Sequence, residues 1–583
     1  MTYLVTFGSV NHQLSPTSPT CELTLLMPED RCDECGVLSA LKDKPDVLKL
    51  TESCCTEGGH SRCDPCSKFA TLQAQVQEVE KTLLNLKAAQ QSLISNINFY
   101  HSSFIRNVPN EVVGLIFSFC HDPAPVCNKE FRSQRFCMLT LGAVCKKWRE
   151  IAWATPELWA LLRMADIPES SGSSFSVQVE LAKEWLGRTA NLPLHISLET
   201  RVSSRNPRFN PHVGKLIEAL NSYSRRWQCL DICIPKMYLS LFHNLPSETA
   251  QNEPERFQHL RIDGFRLSYK SRIPFNADGD LLKPIKVTLG ALCIRSLRIH
   301  WGNVTSLNCG SLFMDECLEL IRLAPKMTDF AVGITAGHDD YPSPLVPLIH
   351  SQLRKLTIKD SDDISVDFIF TNLTLPSLES LSYEISRERT IQTNILTDFF
   401  VRSHAPLRHL SLARAFMHTQ DFDHLLTRIP LLEEIELLLE KAVCLNFLLT
   451  LLAVSPTSTH PGSSPPLPQL RSLKFQYYGS QPLHFDLIPR IFGKDVDSSN
   501  TAAGNETFDQ DDDRVRSMQS LTITVELLSQ YFMKHEYPRL RKATVECLLN
   551  LIKNEGKTIE ISYSGMDLLR EYERGNIEYA DTA

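Results

Sequence analysis

The feature that most constrains how this chain can fold is a short apolar pattern that recurs through residues 227–523. Its form is apolar-x-x-apolar-x-apolar, and the alternation at its end is typical of a strand that buries every second side chain. Ten copies occur: Trp227/Leu230/Ile232, Phe257/Leu260/Ile262, Ile294/Leu297/Ile299, Met327/Phe330/Val332, Leu353/Leu356/Ile358, Leu378/Leu381/Tyr383, Leu407/Leu410/Leu412, Leu432/Ile435/Leu437, Leu470/Leu473/Phe475 and Met518/Leu521/Ile523. Their middle residues lie 25 to 38 positions apart until the last interval, which is 48. A spacing of this size predicts a repeat architecture.

Several copies follow an amphipathic helical segment that ends at a proline, as at Pro325, Pro406 and Pro430. Proline cannot continue a helix, so it marks the change from helix to strand. A single strand–helix unit cannot bury its apolar side, but a stack of such units buries a continuous core. The sequence therefore predicts an α/β fold with a solenoid of strand–helix units over residues 190–565. A set of separate α/β domains with chance matches to the pattern is the alternative.

Residues 104–159 carry a second pattern, made of two apolar helical stripes. Pro109 stands at a first helical position, where its missing N–H costs nothing. The first stripe is Val112, Leu115, Ile116 and Phe119, and the second is Leu141, Val144, Cys145, Trp148 and Ile151. Two or three short helices cannot bury both stripes among themselves, so we expect a partner to cover the remainder. An ordinary helical hairpin inside a larger core is the alternative, because periodicity identifies a face but not what covers it.

Residues 104–117 and 139–152 together resemble an F-box, and the ending Thr155-Pro156-Glu157-Leu158-Trp159 resembles the F-box-like proteins abundant in mushroom-forming fungi. Residues 121–138 form a longer insert than the compact motif usually has. The resemblance implies that this F-box-like region, taken as residues 104–165, docks on the Skp-type adaptor of a cullin-based ubiquitin ligase. The residues implied to contact the adaptor are Val108, Pro109, Glu111, Val112, Leu115, Ile116, Phe117, Val144, Cys145 and Trp148. The repeats resemble irregular leucine-rich repeats in which the asparagine position of that family is largely missing.

These resemblances imply a substrate receptor of an SCF-type ligase that performs no bond chemistry itself. Substrate binding is then expected on the concave face, between the buried strand positions: Arg298, His300, Lys355, Thr357, Lys359, Ser382, Glu384, His409, Ser411, Glu434, Glu436, Lys474 and Gln476. The sign of the charge changes along this set, which favours a protein partner of mixed charge over nucleic acid. The alternative is a scaffold that uses the repeats as a binding platform without recruiting a ligase. Gly556-Lys557-Thr558 is not a phosphate-binding loop, because Leu551 stands where that motif needs its first glycine.

The first 66 residues contain two CxxC pairs, Cys32/Cys35 and Cys63/Cys66, separated by 27 residues. Each pair can present two thiolates to one tetrahedral ion, so the four cysteines are candidate ligands of a structural zinc. The separation exceeds the usual ribbon spacing, and a reduced or labile cysteine cluster is the alternative. The intervening Cys54, Cys55 and His60 give an order that resembles a RING finger, but that family's final cysteine pair is missing, so we expect no competent RING.

Residues 67–103 show a heptad pattern, with two sets of positions spaced seven apart. One set is Phe69, Val76, Leu83, Gln90 and Ile97, and the other is Leu72, Val79, Leu86 and Leu93. Four and a half heptads indicate a coiled-coil-like helix that could dimerise through residues 69–97. Gln90 interrupts the apolar set, so a helix that packs within its own chain is the alternative.

Composition limits the remaining classes. The 583 residues are 43% hydrophobic and 22% charged, which are values of globular proteins. A net charge of −8 disfavours broad binding to nucleic acid or anionic membranes. Without a recognisable secretory signal or apolar span, we expect a cytoplasmic or nuclear protein that binds no membrane. Mobile loops are expected at about 455–468, rich in Pro and Ser, and at 494–516, rich in Asp, and a C-terminal tail is expected at 566–583.

Overall fold

The structure is a computed structural model of the chain. It describes residues 64–101, 107–119, 137–167, 173–200, 209–244, 257–263, 274–290, 292–335, 346–360, 367–390, 392–416, 419–439, 443–453, 467–478, 483–494, 518–526, 538–563 and 565–580. The chain divides into two compact units. The first comprises residues up to Asp166 and Gly172–Leu194, and the second comprises Ile167–Ser171 and His195–Ala583.

The first unit is mainly helical. Its elements are α1 (Asp64–His101), α2 (Asn110–Phe119), α3 (Cys137–Val144), α4 (Lys146–Ala154), β1 (Leu161–Ile167) and α5 (Ser173–Gly187). Helix α4 begins after Cys145, whose Sγ accepts a hydrogen bond from the backbone N–H of Trp148 at 3.4 Å. Residues 67–101 of the predicted heptad segment lie in the single long helix α1, and residues 102–103 lie outside the described residues.

The second unit is a large, mostly parallel sheet with helices in its connections. Its strands are β2 (Leu194–Thr200, which begins at the last residue of the first unit), β3 (Trp227–Cys233), β4 (His259–Ile262), β5 (Lys286–Leu289), β6 (Ser306–Leu312), β7 (Asp329–Ile334), β8 (Leu348–Ile349), β9 (Lys355–Asp360), β10 (Leu373–Thr374), β11 (Ser380–Thr390), β12 (His409–Phe416), β13 (Glu434–Leu439), β14 (Ser472–Tyr478), β15 (Ser520–Glu526), β16 (Thr558–Tyr563) and β17 (Met566–Asp567). Its helices are α6 (Pro211–Asn221), α7 (Met314–Leu323), α8 (Asp367–Asn372), α9 (Thr393–Ser403), α10 (Thr419–Thr427), α11 (Val443–Ala453), α12 (Ile488–Ile491), α13 (Lys542–Glu555) and α14 (Leu568–Glu573). The predicted α/β class is therefore confirmed, and the structure adds that the large sheet is mostly parallel.

The strands of the large sheet follow one another in chain order, with β8 and β10 forming a separate pair. Every pairing from β3 to β16 is parallel, and the pairing of β16 with β17 is antiparallel. One row of the sheet runs without a break through buried apolar residues: Leu260, Val287, Leu307, Phe330, Leu356, Leu381, Leu410, Ile435, Leu473, Leu521 and Ile559. Each strand therefore places a buried apolar side chain beside that of the next strand. Because every strand supplies one, apolar residues recur in the sequence at the spacing of the strands.

The prolines act as predicted. Helix α7 ends before Pro325, α9 before Pro406 and α10 before Pro430, and each is followed by a strand of the large sheet. At the end of α9, His404 takes a left-handed conformation with φ of 49°, and its N–H donates to the carbonyl of Phe400. That conformation reverses the chain direction toward β12.

Nine of the ten predicted strands form, and the one at Ile294–Ile299 is wrong. Residues 294–296 make a 3-10 turn, and Leu297 and Ile299 pair only in isolated bridges with Phe275 and Leu282. The neighbouring sheet positions belong to β5 and β6, which were not among the ten predicted copies. An alternation of apolar residues predicts that one side of a segment is buried, but it does not identify the strand with which the segment pairs.

Buried polar side chains hold several of the connections between strands. Asn276 is fully buried, and its side chain accepts from the N–H of Asn244 at 2.8 Å and donates to the carbonyl of Asp280 at 2.7 Å. His350 is buried between the carbonyl of Ala324 (3.0 Å) and the N–H of Leu353 (3.1 Å). These groups satisfy backbone atoms that the loops would otherwise leave unpaired.

The predicted C-terminal tail is wrong in its first part. Residues 566–573 form β17 and α14, and Leu568, Leu569 and Tyr572 are buried. The Tyr572 hydroxyl donates to the carbonyl of Pro538 at 2.9 Å and accepts from the N–H of Leu540 at 2.7 Å. Strand β17 of this segment pairs in the antiparallel direction with β16, the last parallel strand of the large sheet. The predicted loops at 455–468 and 494–516 lie almost wholly outside the described residues.

Candidate functional site

Helices α2 and α4 pack through one side of each. Val113 and Phe117 of α2 and Ile151 of α4 are buried, and the rings of Phe117 and Trp148 lie 5.0 Å apart between centroids. The approach is close at Gly114, where a Cβ would lie 2.9 Å from Thr155 Oγ1. The side of α2 that faces α4 is therefore occupied.

The opposite side of α2 is apolar and exposed. Leu115 is 57% exposed and Phe119 is 81% exposed, and Val112 and Ile116 lie beside them. Val144, at the end of α3, is also exposed. We refer to Val112, Leu115, Ile116, Phe119 and Val144 as the apolar face. Isolated exposed apolar residues are common on soluble proteins, but four on one side of a ten-residue helix are not.

Three tryptophans anchor the helices that carry this face. Trp159 Nε1 donates to the carbonyl of Ala152 at 2.8 Å, and Trp185 Nε1 donates to the carbonyl of Trp159 at 2.8 Å. The Arg188 guanidinium lies over the rings of Trp153 and Trp159, at 5.0 and 4.6 Å from their centroids. The cluster links α4 to α5 and explains why the segment after α4 ends in Leu-Trp.

The structure divides the residues expected to bind the adaptor into two groups. Val112, Leu115, Ile116 and Val144 lie on the apolar face, and Pro109 and Glu111 are exposed at the start of α2. Val108, Cys145 and Trp148 are half-buried. Phe117 is only 1% exposed, so it supports the helix pair from inside and is not on the surface. The helical spacing of α2 could have predicted the burial of Phe117, because Phe117 lies four residues after Val113 and therefore on the same side of the helix.

A groove of about 600 Å³ lies beside the apolar face. Glu111, Leu115, Lys147, Glu150 and Glu157 are among its lining residues. The carboxylates of Glu111, Glu150 and Glu157 make this groove, which borders the apolar face, acidic. An apolar centre with a charged border is the usual composition of a protein-binding surface.

The second candidate surface is the outward side of β9, β11, β12, β13 and β14. We call it the polar strand face. It presents the expected substrate-binding residues in register: Lys355 with His409 and Glu434, Thr357 with Ser382, Ser411, Glu436 and Lys474, and Lys359 with Glu384 and Gln476. All are half-buried or exposed, whereas the residues between them in each strand are buried. The expected alternation of buried and solvent-accessible positions in these strands is therefore observed.

Charges on the polar strand face contact the next strand. Lys359 Nζ lies 3.1 Å from Glu384 Oε2, and His409 Nδ1 lies 3.0 Å from Glu434 Oε2. Such exposed pairs contribute little stability, about 0–1 kcal/mol each. Their side chains can therefore exchange partners with an incoming protein at low cost.

Arg298 and His300 are not part of the polar strand face. They lie in the segment whose strand did not form, and Arg298 Nη1 donates to the carbonyl of Ala277 at 2.6 Å. The expectation that both lie on the binding face is corrected, because β5 and β6 occupy the corresponding sheet positions.

We did not predict from the sequence a cluster of charged side chains at β3 and β4. Arg261 contacts Asp231 Oδ2 at 3.4 Å and Asp263 Oδ2 at 3.1 Å. Burial, aided by the carboxylates of Asp263, Glu199 and Asp231, raises the pKa of Cys233 to about 12, so this thiol stays protonated at neutral pH. Arg261 stands between two buried positions of a predicted strand, so the alternation itself could have identified it.

His259 lies next to this group in β4. Burial, together with the positive charges of Lys286 and Arg261, lowers the pKa of His259 to about 4. Its Nε2 lies 3.4 Å from Thr288 Oγ1. The imidazole is therefore neutral at physiological pH.

Of the four candidate zinc ligands, Cys32, Cys35 and Cys63 lie outside the described residues, and the Cys66 side chain does as well. Over the part of the chain that is described, three or more His, Cys, Asp or Glu side chains nowhere converge as a metal site would require. In the same residues, every helix is too short or too polar to cross a bilayer.

No protein-family model matches this chain, and no curated protein matches it either.

Proposed function

We propose that the protein is the substrate-recognition subunit of a cullin-based ubiquitin ligase, docking through its F-box-like helices on a Skp-type adaptor. The observation that carries the proposal is the apolar face, four large side chains of α2 with Val144, exposed on helices whose other side is already packed. Covering each such side chain is worth roughly 1.5–3 kcal/mol before the costs of association. A helical partner with an apolar groove suits this surface.

The repeats would present the substrate. In this proposal the strand–helix stack is an irregular leucine-rich-repeat solenoid, and the polar strand face is its recognition surface. Both signs of charge lie within a few strands there, as the pairs Lys359–Glu384 and His409–Glu434 illustrate. A partner protein with its own mixed charges can pair with such a surface, whereas a polyanion would meet Glu434 and Glu436.

The test is capture of a purified Skp-type adaptor by the full-length chain. Ile116→Asp places a carboxylate in the apolar face, and we expect binding to fall at least 100-fold, because desolvating an unpaired charge costs about 3 kcal/mol or more. Val177→Asp is the matched control: it replaces another exposed apolar side chain with the same carboxylate, on α5, outside the apolar face and the groove beside it.

Equal binding by the parent and Ile116→Asp would contradict the proposed docking surface. Absence of adaptor binding by the parent would instead support the alternative, a scaffold that uses the polar strand face without a ligase. The control must bind like the parent for either conclusion to hold.

A further inference from the structure

Helix α1 presents a continuous apolar stripe to solvent. The helix has 38 residues, which corresponds to about 57 Å at 1.5 Å per residue. The stripe, here called the seam, consists of Phe69, Leu72, Val76, Val79, Leu83, Leu86, Gln90, Leu93 and Ile97. Its large apolar members are 37–67% exposed. This exposure disfavours the alternative in which α1 packs against its own unit.

We propose that the seam is a homodimer interface, in which α1 of two copies forms a parallel, in-register coiled coil. The seam follows a strict 3–4 alternation, so it is self-complementary: the same residues can form the layers of both helices. At roughly 100 Å² of apolar area for each of the eight apolar seam positions, two helices bury about 1,600 Å². That area falls in the range of specific, stable protein interfaces.

Gln90 decides the relative direction of the two helices. In a parallel pair it meets Gln90 of the second copy, and the two amides can hydrogen-bond in the interface. In the two antiparallel registers of greatest overlap, Gln90 would face Val79 or Leu72 of the second copy, and its amide would lose that partner. A single polar layer is a known way for a coiled coil to fix its register.

The residues that flank the seam are compatible with the parallel pair. Lys68 would lie near Gln73 of the second copy, Gln75 near Glu80, and Thr82 near Lys87. None of these three contacts joins like charges. Reversing the second helix would place Glu80 near Lys87. The free energy gained from this exposed ion pair is small compared with the cost of leaving the Gln90 amide buried without a hydrogen-bond partner.

The inference is independent of adaptor binding, because the seam and the apolar face belong to different helices. A dimer would carry two adaptor-docking surfaces and two polar strand faces. A substrate with two binding sites would then be held by both copies, and the second contact would form at a raised effective concentration.

Sedimentation of the full chain tests the interface. The parent should sediment at twice the 66.1 kDa of one chain. Leu86→Glu places a charge in the seam and should give the monomer. Ala88→Glu is the matched control on the outer side of the same helix, and it should remain dimeric. Leu86→Glu should still capture the adaptor, which separates failure of the dimer from failure of the proposed function.

A mixing experiment tests the direction. Gln90→Lys and Gln90→Glu chains with different tags should each dimerise poorly, because like charges meet at one layer. Mixed together they should form a heterodimer, because the two charges meet only when residue 90 faces residue 90.

Three results would overturn the proposal. A monomeric parent would mean that the seam is covered by the chain's own residues or by another protein. A dimer that survives Leu86→Glu would place the interface elsewhere. A mixture without preference for the heterodimer would contradict the parallel register.

Discussion

The facing of strand β12 can be tested by two substitutions at adjacent positions, Leu410→Asp and Ser411→Asp. Leu410 is 2% exposed and lies in register between Leu381 of β11 and Ile435 of β13. Removing a buried leucine side chain costs about 2–5 kcal/mol, and burying a carboxylate without a partner adds to that. We therefore expect Leu410→Asp to lower the free energy of unfolding by more than about 4 kcal/mol.

Ser411 points to the other side of the same strand. It is half-buried and lies between Ser382 and Glu436. An aspartate there meets solvent and one like charge, so we expect a loss of under about 1 kcal/mol. Ser411→Asn is the control: it has nearly the same shape without the charge, and its cost should stay within about 0.5 kcal/mol.

The assay is urea unfolding followed by far-UV circular dichroism, comparing the midpoints of the three variants with the parent. The loss of unfolding free energy should be largest for Leu410→Asp, smaller for Ser411→Asp and smallest for Ser411→Asn. Equal destabilisation by the two aspartates would refute the assigned facing, and with it the polar strand face, because a strand shifted by one residue exchanges its two sides.

Two further predictions concern buried polar groups. The lowered pKa of His259, about 4 against 6.5 in an unfolded chain, means that the unfolded state binds more protons between those values. After allowance for the partial exposure of His259, the free energy of unfolding should then fall by about 2 kcal/mol as the pH drops from 6.5 to 4. His259→Gln should make this free energy less dependent on pH, which urea titrations at several pH values would measure. Asn276→Ala should cost about 2–4 kcal/mol, because it removes the bonds to Asn244 and Asp280 and places alanine at a φ of 58°, and a thermal unfolding temperature equal to the parent's would contradict it.

Much of the candidate site could be predicted because exposure alternates in a regular way. The spacing of α2 identified Val112, Leu115 and Ile116, and the alternation in β9 to β14 identified the polar strand face. Phe117 was misplaced because a list of motif residues does not say which side of the helix each occupies. Arg298 and His300 were misplaced because their segment is buried like a strand but pairs with isolated residues outside the large sheet.

The sequence by itself determined the kinds of element, their order and the sides they bury. These follow from local spacing and from residues such as Pro325 and Pro406, whose effects act over a few positions. Only the tertiary structure decided that β5 and β6 join the sheet, that Tyr572 anchors a folded C-terminal segment, and that the α1 seam lies open to solvent. Pairing and burial depend on residues far apart in the chain, so no local pattern carries that information.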